Sequence, residues 1–114
     1  MMDGRDKRAE RVISMSTQTL FAYGTLLHVH VQRAVIGREI AGTPAQLAGY
    51  RKTTLQDGTE VFPNLVPESD GTVSGRVLDV TDAELALIDR YEGDLYARHR
   101  VTLTNGAEVW AYYA

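Results

Sequence analysis

Bulky apolar residues run along this chain in short bursts, each closed by glycine, proline or an Asn/Asp turn. Gln18 to Tyr23 (QTLFAY) reads as a strand that stops at Gly24. Leu27 to Val35 carries two patterns: a short helix halted by Gly37, and an alternation across His28 to Gln32 (HVHVQ) that fits a strand. The sequence leaves both open. Ala41 to Tyr50 sets Leu47 and Tyr50 among small residues, which suits a twisted strand. Asp57-Gly58 predicts a hairpin between Arg51–Leu55 and Glu60–Phe62. Two prolines bound Phe62 to Pro67 (FPNLVP), which predicts a sheet edge or an irregular turn. Ser69 to Gly71 predicts a further turn, and Val73 to Val80 alternates as a strand should.

The period then changes. Thr81 to Glu84 (TDAE) forms a capping box that opens a helix through Tyr91, with Gly93 just past its end. Ala97–Thr104 and Glu108–Tyr113 flank Asn105-Gly106 as a closing hairpin. The count comes to roughly six or seven short strands and two helices, with hairpins linking neighbours. That predicts an α+β domain: a small mixed, mostly antiparallel β-barrel with flanking helices. Residues 1–17, polar and without period, read as a flexible N-terminal tail, leaving 18–114 as the domain.

Composition narrows the chemistry. The chain has 114 residues, 44% hydrophobic and 24% charged, with a formal net charge of −3. That is one domain's worth, with no basic stripe for nucleic acid or an anionic membrane. Basic residues gather only in Asp3 to Arg11, where acids are interleaved, as on a solvated tail. Without cysteine there is no disulfide, thiolate metal site or thiol nucleophile. No apolar run approaches the roughly 18–20 residues of a membrane span, and the N-terminus lacks the apolar core of a signal peptide. A soluble cytoplasmic protein is the expectation.

On a helical wheel the second helix turns Leu85, Leu87, Ile88 and Tyr91 to one arc, with Asp89 and Arg90 nearer the solvent. Glu92 falls inside the apolar arc, between Ile88 and Leu85. A glutamate there loses hydration, and the helix C-terminus repels its charge, so its pKa rises. Such a carboxyl can accept and return a proton near neutral pH. The alternatives are that Gly93 swings Glu92 into water or that Arg98 or Arg100 pairs with it. The strand ending at Tyr23-Gly24-Thr25-Leu26 would expose backbone N–H groups suited to a carboxylate or oxyanion, with Gly24 allowing unusual backbone geometry and close approach.

Five stretches in order, FAYGTL (21–26), FPNLVP (62–67), VSGRV (73–77), IDRYEGDLYAR (88–98) and VWAYY (109–113), resemble the γ-glutamylcyclotransferase-like family in its AIG2-like branch. The resemblance covers nearly everything from residue 19 onward. It implies a compact mixed barrel and an enzyme that releases 5-oxoproline from γ-glutamyl compounds. Tyr23, Gly24, Thr25 and Leu26 would bind the glutamyl group, Glu92 would be the general acid/base, and Tyr96 would line the site. Asp94 departs from the proline that often follows the glycine in relatives.

In that reaction the substrate's α-amine attacks its own side-chain carbonyl, so no protein nucleophile, metal or cofactor is called for. The partner is a small γ-glutamyl molecule. His28, His30 and His99 lack a recognised metal spacing. Trp110 and Tyr112 share one strand face and Tyr113 takes the other, as core and barrel closure. Arg98 is a candidate partner for a carboxylate near the site, and Asn64 either donates to substrate or satisfies its turn. The rival readings are a non-catalytic γ-glutamyl or amino-acid binding module on the same fold and a small barrel used for protein contacts.

Overall fold

The computed structural model describes residues 16–114. In chain order these form β1 (Thr17–Ala22), a 3-10 turn at Thr25–Leu27, α1 (Val29–Ile36), β2 (Thr43–Asp57) and β3 (Glu60–Thr81). There follow α2 (Asp82–Glu92), a 3-10 turn at Gly93–Leu95, β4 (Ala97–Thr102) and β5 (Glu108–Tyr113). Of the stretch assigned to a tail, residues 1–15 lie outside the described residues, while Thr17 already pairs with Thr81.

Five strands make one sheet in the order β2-β3-β1-β5-β4. All neighbours are antiparallel except β1 and β5, which run parallel through Leu20 and Trp110. The sheet curls until its edges meet. Leu47 of β2 bridges Leu103, just past β4, and the Thr104 N–H donates to the Gln46 carbonyl at 3.0 Å. The result is a half-barrel with two helices.

The strands number five, not six or seven, because β2 and β3 are long, at 15 and 22 residues. The turn expected at Ser69–Gly71 does not reverse the chain. Ala48 pairs with Thr72 and Tyr50 with Pro67, so Gly49 alone spans the bulge of Glu68 to Gly71. A side chain on Gly71 would start 2.2 Å from the Tyr50 carbonyl oxygen, which reserves that position for glycine. FPNLVP belongs to β3, not to an irregular turn. β1 covers β3 only from Arg76 to Thr81, so Pro63 and Pro67 sit where the strand has a ladder neighbour on one side.

Alternation sorts the side chains into two cores. Phe21, Tyr23, Leu65, Val73, Val109 and Ala111 fill the inside of the curl. Leu20, Ala22, Leu78, Val80 and Tyr112 face the helices and meet Leu85 and Ile88 of α2. Trp110 packs with this second set and Tyr113 with the first, as alternation predicted. The two patterns of Leu27 to Val35 resolve as helix. Val35 and Ile36 both pack on the helix-side core, whereas neighbours in a strand would face opposite ways. Gly37 ends α1 at φ +78°.

The capping box on α2 is formed. The Glu84 N–H donates to Thr81 Oγ1 at 3.1 Å, and the Thr81 N–H donates to Glu84 Oε1 at 2.9 Å. The buried stripe of α2 is narrower than the wheel suggested. Leu85 and Ile88 are buried, but Leu87 and Tyr91 are 41% and 43% exposed. A helix lying on one sheet face touches it along a single line, and that line runs Leu85, Ile88, Glu92. Among the described residues no helix is long and apolar enough to cross a membrane.

Candidate active site

The end of β1, the 3-10 turn after it, the last turn of α2 and the Phe62–Pro63 step of β3 enclose a cavity of about 260 Å³. Tyr23, Gly24, Thr25, Leu26, Glu92 and Tyr96 all line it. Phe62, Pro63, Tyr91, Leu95 and Tyr112 also line it, with Leu20, Phe21 and Ala22 of β1; the first five fall in stretches that carry the family resemblance, but none was singled out as a site residue.

Gly24 serves by what it lacks. Its φ and ψ are both −133°, outside the left-handed region and outside the helical and extended ones. A Cβ there would lie 2.9 Å from the Pro63 ring, which explains the glycine by close approach. After it the chain tightens: the Leu27 N–H donates to the Gly24 carbonyl and the His28 N–H to the Thr25 carbonyl, both at 3.0 Å. The amides of Thr25 and Leu26 therefore precede the first bond of the turn and have no acceptor within it.

Gln32 holds this turn from behind. It is 2% exposed. Its Nε2 donates to the Leu26 carbonyl at 2.8 Å, and its Oε1 accepts the Ile40 N–H at 2.7 Å. A buried amide with both ends satisfied fixes whatever it joins. Nothing in HVHVQ distinguished this glutamine from a surface residue.

Glu92, the last residue of α2, continues the buried stripe into the cavity wall. Burial pushes its carboxyl up to about 7. Neither arginine offered as its partner takes that role. Arg98 pairs with Asp89 at 3.2 Å and stacks 4.3 Å over Trp110, and Arg100 reaches Glu108 at 3.7 Å. Among the described residues no hydrogen bond or ion pair compensates Glu92. Asp89, expected nearer the solvent, is half-exposed and also accepts the Tyr112 hydroxyl.

Tyrosine hydroxyls ring the cavity, and each is bonded. Tyr23 donates to the Tyr112 carbonyl at 2.5 Å, Tyr112 to Asp89 at 2.5 Å, and Tyr96 to the Pro63 carbonyl. Thr25 and Tyr91 share a hydrogen bond of 2.9 Å across the mouth. Burial, with the nearby Glu92 charge, pushes Tyr96 up to about 12. Burial likewise raises Tyr23 and Tyr112, the latter helped by its bond to Asp89. All three are neutral phenols at physiological pH. Their protons are engaged, so they offer the cavity acceptor lone pairs.

The other singled-out residues serve elsewhere. Asn64 accepts the Ala114 N–H at 2.9 Å and is not in the cavity wall. His28 and His30 stack on each other, and His99 stacks on Tyr113. Among the described residues no three or more His, Asp or Glu gather as a metal site. The cavity thus brings together one carboxyl raised by burial, several hydrogen-bonded tyrosines and the Gly24–Leu26 turn.

A family model described as gamma-glutamyl cyclotransferase, AIG2-like, matches residues 20–114. AIG2-like protein C of Arabidopsis thaliana is 34% identical over 92 residues, 78% of this chain and 52% of the relative. The chain therefore spans about half the length of that relative. The solution structure of an Arabidopsis thaliana protein is 32% identical at TM-score 0.73, covering 86% of this chain and 62% of that one. A structure named gamma-glutamyl cyclotransferase superposes at TM-score 0.64 with 16% identity, over 86% of this chain and 66% of that one, and shares the fold.

Proposed function

The chain belongs to the gamma-glutamyl cyclotransferase, AIG2-like family, and on that premise we propose that it releases 5-oxoproline from a γ-glutamyl amine or peptide. The observation that carries this reading is Glu92: a half-buried carboxyl that burial pushes up to about 7, without a compensating partner among the described residues, in the wall of one cavity with the Tyr23–Leu26 turn.

Near neutral pH about half of such a carboxyl is ionised, which suits a group that must both take and give protons. The substrate's α-ammonium sits among the phenolic acceptors and passes a proton to Glu92. The freed amine attacks the γ-carbonyl carbon and closes the five-membered ring. The amides of Thr25 and Leu26, next to Gly24, face the oxygen on which charge develops. Glu92 returns its proton to the departing nitrogen, accepts a second from the ring nitrogen and hands it to the released amine, which leaves as an ammonium ion and restores the carboxylate. The carbon–nitrogen bond to the leaving amine breaks, and 5-oxoproline and the amine depart without water being consumed. The nucleophile belongs to the substrate, so the scheme requires no protein nucleophile, metal or cofactor. Holding the glutamyl chain in its cyclising conformation supplies several kcal/mol.

The test is a panel of γ-glutamyl amines and peptides with 5-oxoproline read by mass. Turnover is expected from at least one member, and kcat/KM should rise through an apparent pKa near 7 as the ionised form of Glu92 appears. Glu92→Gln should abolish release while γ-glutamyl binding, followed by calorimetry, persists. Full activity in that variant would remove the proton carrier. Binding without product from any panel member would make the protein a binding module.

A further inference from the structure

Within the cyclotransferase reading, on which this rests, we infer that Asp89 is a positioning residue for Glu92: it holds the Tyr112 hydroxyl proton outside the cavity and so denies the Glu92 carboxylate a phenolic donor. Asp89 does not line the cavity itself and acts through Tyr112.

Burial is what raises Glu92. A rise of that origin is fragile, because a single donor to the ionised form would bring it down. Among the described residues no lysine, arginine or histidine lines the cavity, so the side-chain donors at hand are hydroxyls. Tyr23 comes from β1, Thr25 from the turn after it, Tyr91 from α2, Tyr96 from beyond α2 and Tyr112 from β5. β3 contributes Phe62 and Pro63, which carry no titratable group. Tyr23 and Tyr96 give their protons to main-chain carbonyls, and Thr25 and Tyr91 bond to each other at the mouth. Tyr112 differs: a side-chain carboxylate holds its proton. Burial and the bond to Asp89 raise Tyr112, and the charge of Glu92 adds to the rise, so this phenol and the cavity carboxyl feel each other.

The surroundings of Asp89 suit the task. Its Oδ1 accepts the Tyr112 hydroxyl at 2.5 Å and the Arg98 Nε–H at 3.2 Å. Arg98 is fixed in turn, 4.3 Å over the Trp110 ring, and Trp110 Nε1 donates to Gln18 at 3.2 Å. Gln18 then donates to Asp82, at the start of α2, at 2.8 Å. These side chains line a second hollow of about 320 Å³, apart from the cavity. A carboxylate accepts a phenol's proton more strongly than a neutral carbonyl does, and the arginine fixes which oxygen is offered. The charged groups facing Asp89 are thus Arg98 from β4 and Asp82 across the second hollow, while Asp94, on the turn after α2, lines neither space. Without Asp89 the Tyr112 proton is free to turn about its C–O bond, and Glu92 is the acid that shares the cavity with it. A Glu92 that accepted this proton would be a weaker base toward the substrate's α-ammonium.

Carbon-13 NMR of the glutamate carboxyls in the full chain tests this, with the Glu92 signal assigned by its loss in Glu92→Gln. Asp89→Ala should bring Glu92 from about 7 down to about 6 or lower, the size expected of one hydroxyl donor. Asp89→Asn keeps an oxygen for Tyr112 and removes the charge, so Glu92 should stay near its wild-type value. Asp89→Ala combined with Tyr112→Phe should titrate as Tyr112→Phe alone, because the donor is gone. If Asp89→Ala does not fold, Asp89→Ser replaces it, since that side chain is too short to reach the phenol. A Glu92 that neither variant moves overturns the inference. So does an equal fall in Asp89→Asn, which would make lost charge the cause, or a fall that survives Tyr112→Phe, which would point to a freed Arg98. The apparent pKa of kcat/KM for 5-oxoproline release should move with the NMR value. The titration needs no turnover, so the two readings fail separately. No 5-oxoproline from any γ-glutamyl compound sinks the cyclotransferase reading, and the link from Asp89 to Glu92 is then decided by the titration alone.

Discussion

The first and last turns of α2 each hold a glutamate, and the two are treated in opposite ways. Glu84 accepts from the Thr81 N–H and from Arg38, whose Nε and Nη2 lie 2.6 and 2.8 Å away. The Arg38 hydrogen bonds lead in holding its carboxyl below the ordinary range, and it sits at the helix end that favours negative charge. Glu92 sits at the end that disfavours charge, loses water and gains no partner among the described residues, and burial lifts it to about 7. One residue type on one helix thus gives a stabilising cap at one end and, under the proposed reaction, the proton carrier at the other. Glu84 supports the fold in its ionised form. Glu92 is held in a place where its ionised form weakens the fold, an arrangement that suits the proposed reaction.

Removing the carrier has the largest consequence. Glu92→Gln should lower kcat for 5-oxoproline release by about 10²–10⁴-fold, the range for a positioned acid–base group, with ligand affinity within a few-fold. The same variant should be the more stable protein in alkali. Glu92 ionises near its ordinary 4.5 when unfolded but near 7 when folded, so between those values the folded state holds the extra proton. Wild-type stability therefore falls, relative to Glu92→Gln, as pH rises from about 4.5 to about 7, then levels. The gap at pH 8 should be on the order of 2–3 kcal/mol and absent at pH 4. Denaturant midpoints at the two pH values measure it. Parallel behaviour of the two proteins would mean that Glu92 is as solvated as any surface acid.

A smaller effect tests whether the opposing wall keeps Glu92's surroundings in place. Gly24→Ala sets a Cβ 2.9 Å from the Pro63 ring, so either the turn or the β3 edge must yield. We expect kcat/KM to drop by about 10–100-fold with little change in far-ultraviolet circular dichroism, since displacement of roughly an ångström suffices for such losses. Pro63→Ala removes the atom at fault, and the double variant should recover much of the loss. Simple additivity of the two would show that the ring and the glycine do not meet.

Much of this arrangement was legible in the chain. Alternation along β5 placed Tyr113 opposite Trp110 and Tyr112, because a one-residue shift would turn an apolar face to water. TDAE and Gly93 bounded α2, because capping is local chemistry. The period also brought Glu92 to the buried side, while misplacing Leu87 and Tyr91, since a wheel cannot say how wide a contact the sheet will make. Other features depend on meetings between distant segments. The bulge at Glu68–Gly71 looks like a turn until β2 runs past it. Gln32 reads as a surface residue until Leu26 and Ile40 reach its two ends. The commitment of each cavity phenol to a carbonyl or to Asp89 exists only in three dimensions.

The smallest expected change lies at the other end of α2 and carries the opposite sign. Glu84→Gln keeps a side chain that can close the capping box and removes only the charge. The pair with Arg38 is at the surface and screened, so the loss at pH 7 should be about 0.5–1 kcal/mol, mostly from the charge at the helix N-terminus. Glu84's folded pKa is depressed, so its stabilisation is present above the unfolded value and disappears as pH falls through the folded one. Wild type should therefore exceed Glu84→Gln at pH 7 and match it in strong acid, the reverse of the trend against Glu92→Gln. Release of 5-oxoproline should not change, because Glu84 lies outside the cavity wall. Differences from wild type that ran the same way with pH in both variants would show that the two ends of the helix do not impose opposite electrostatics on their glutamates.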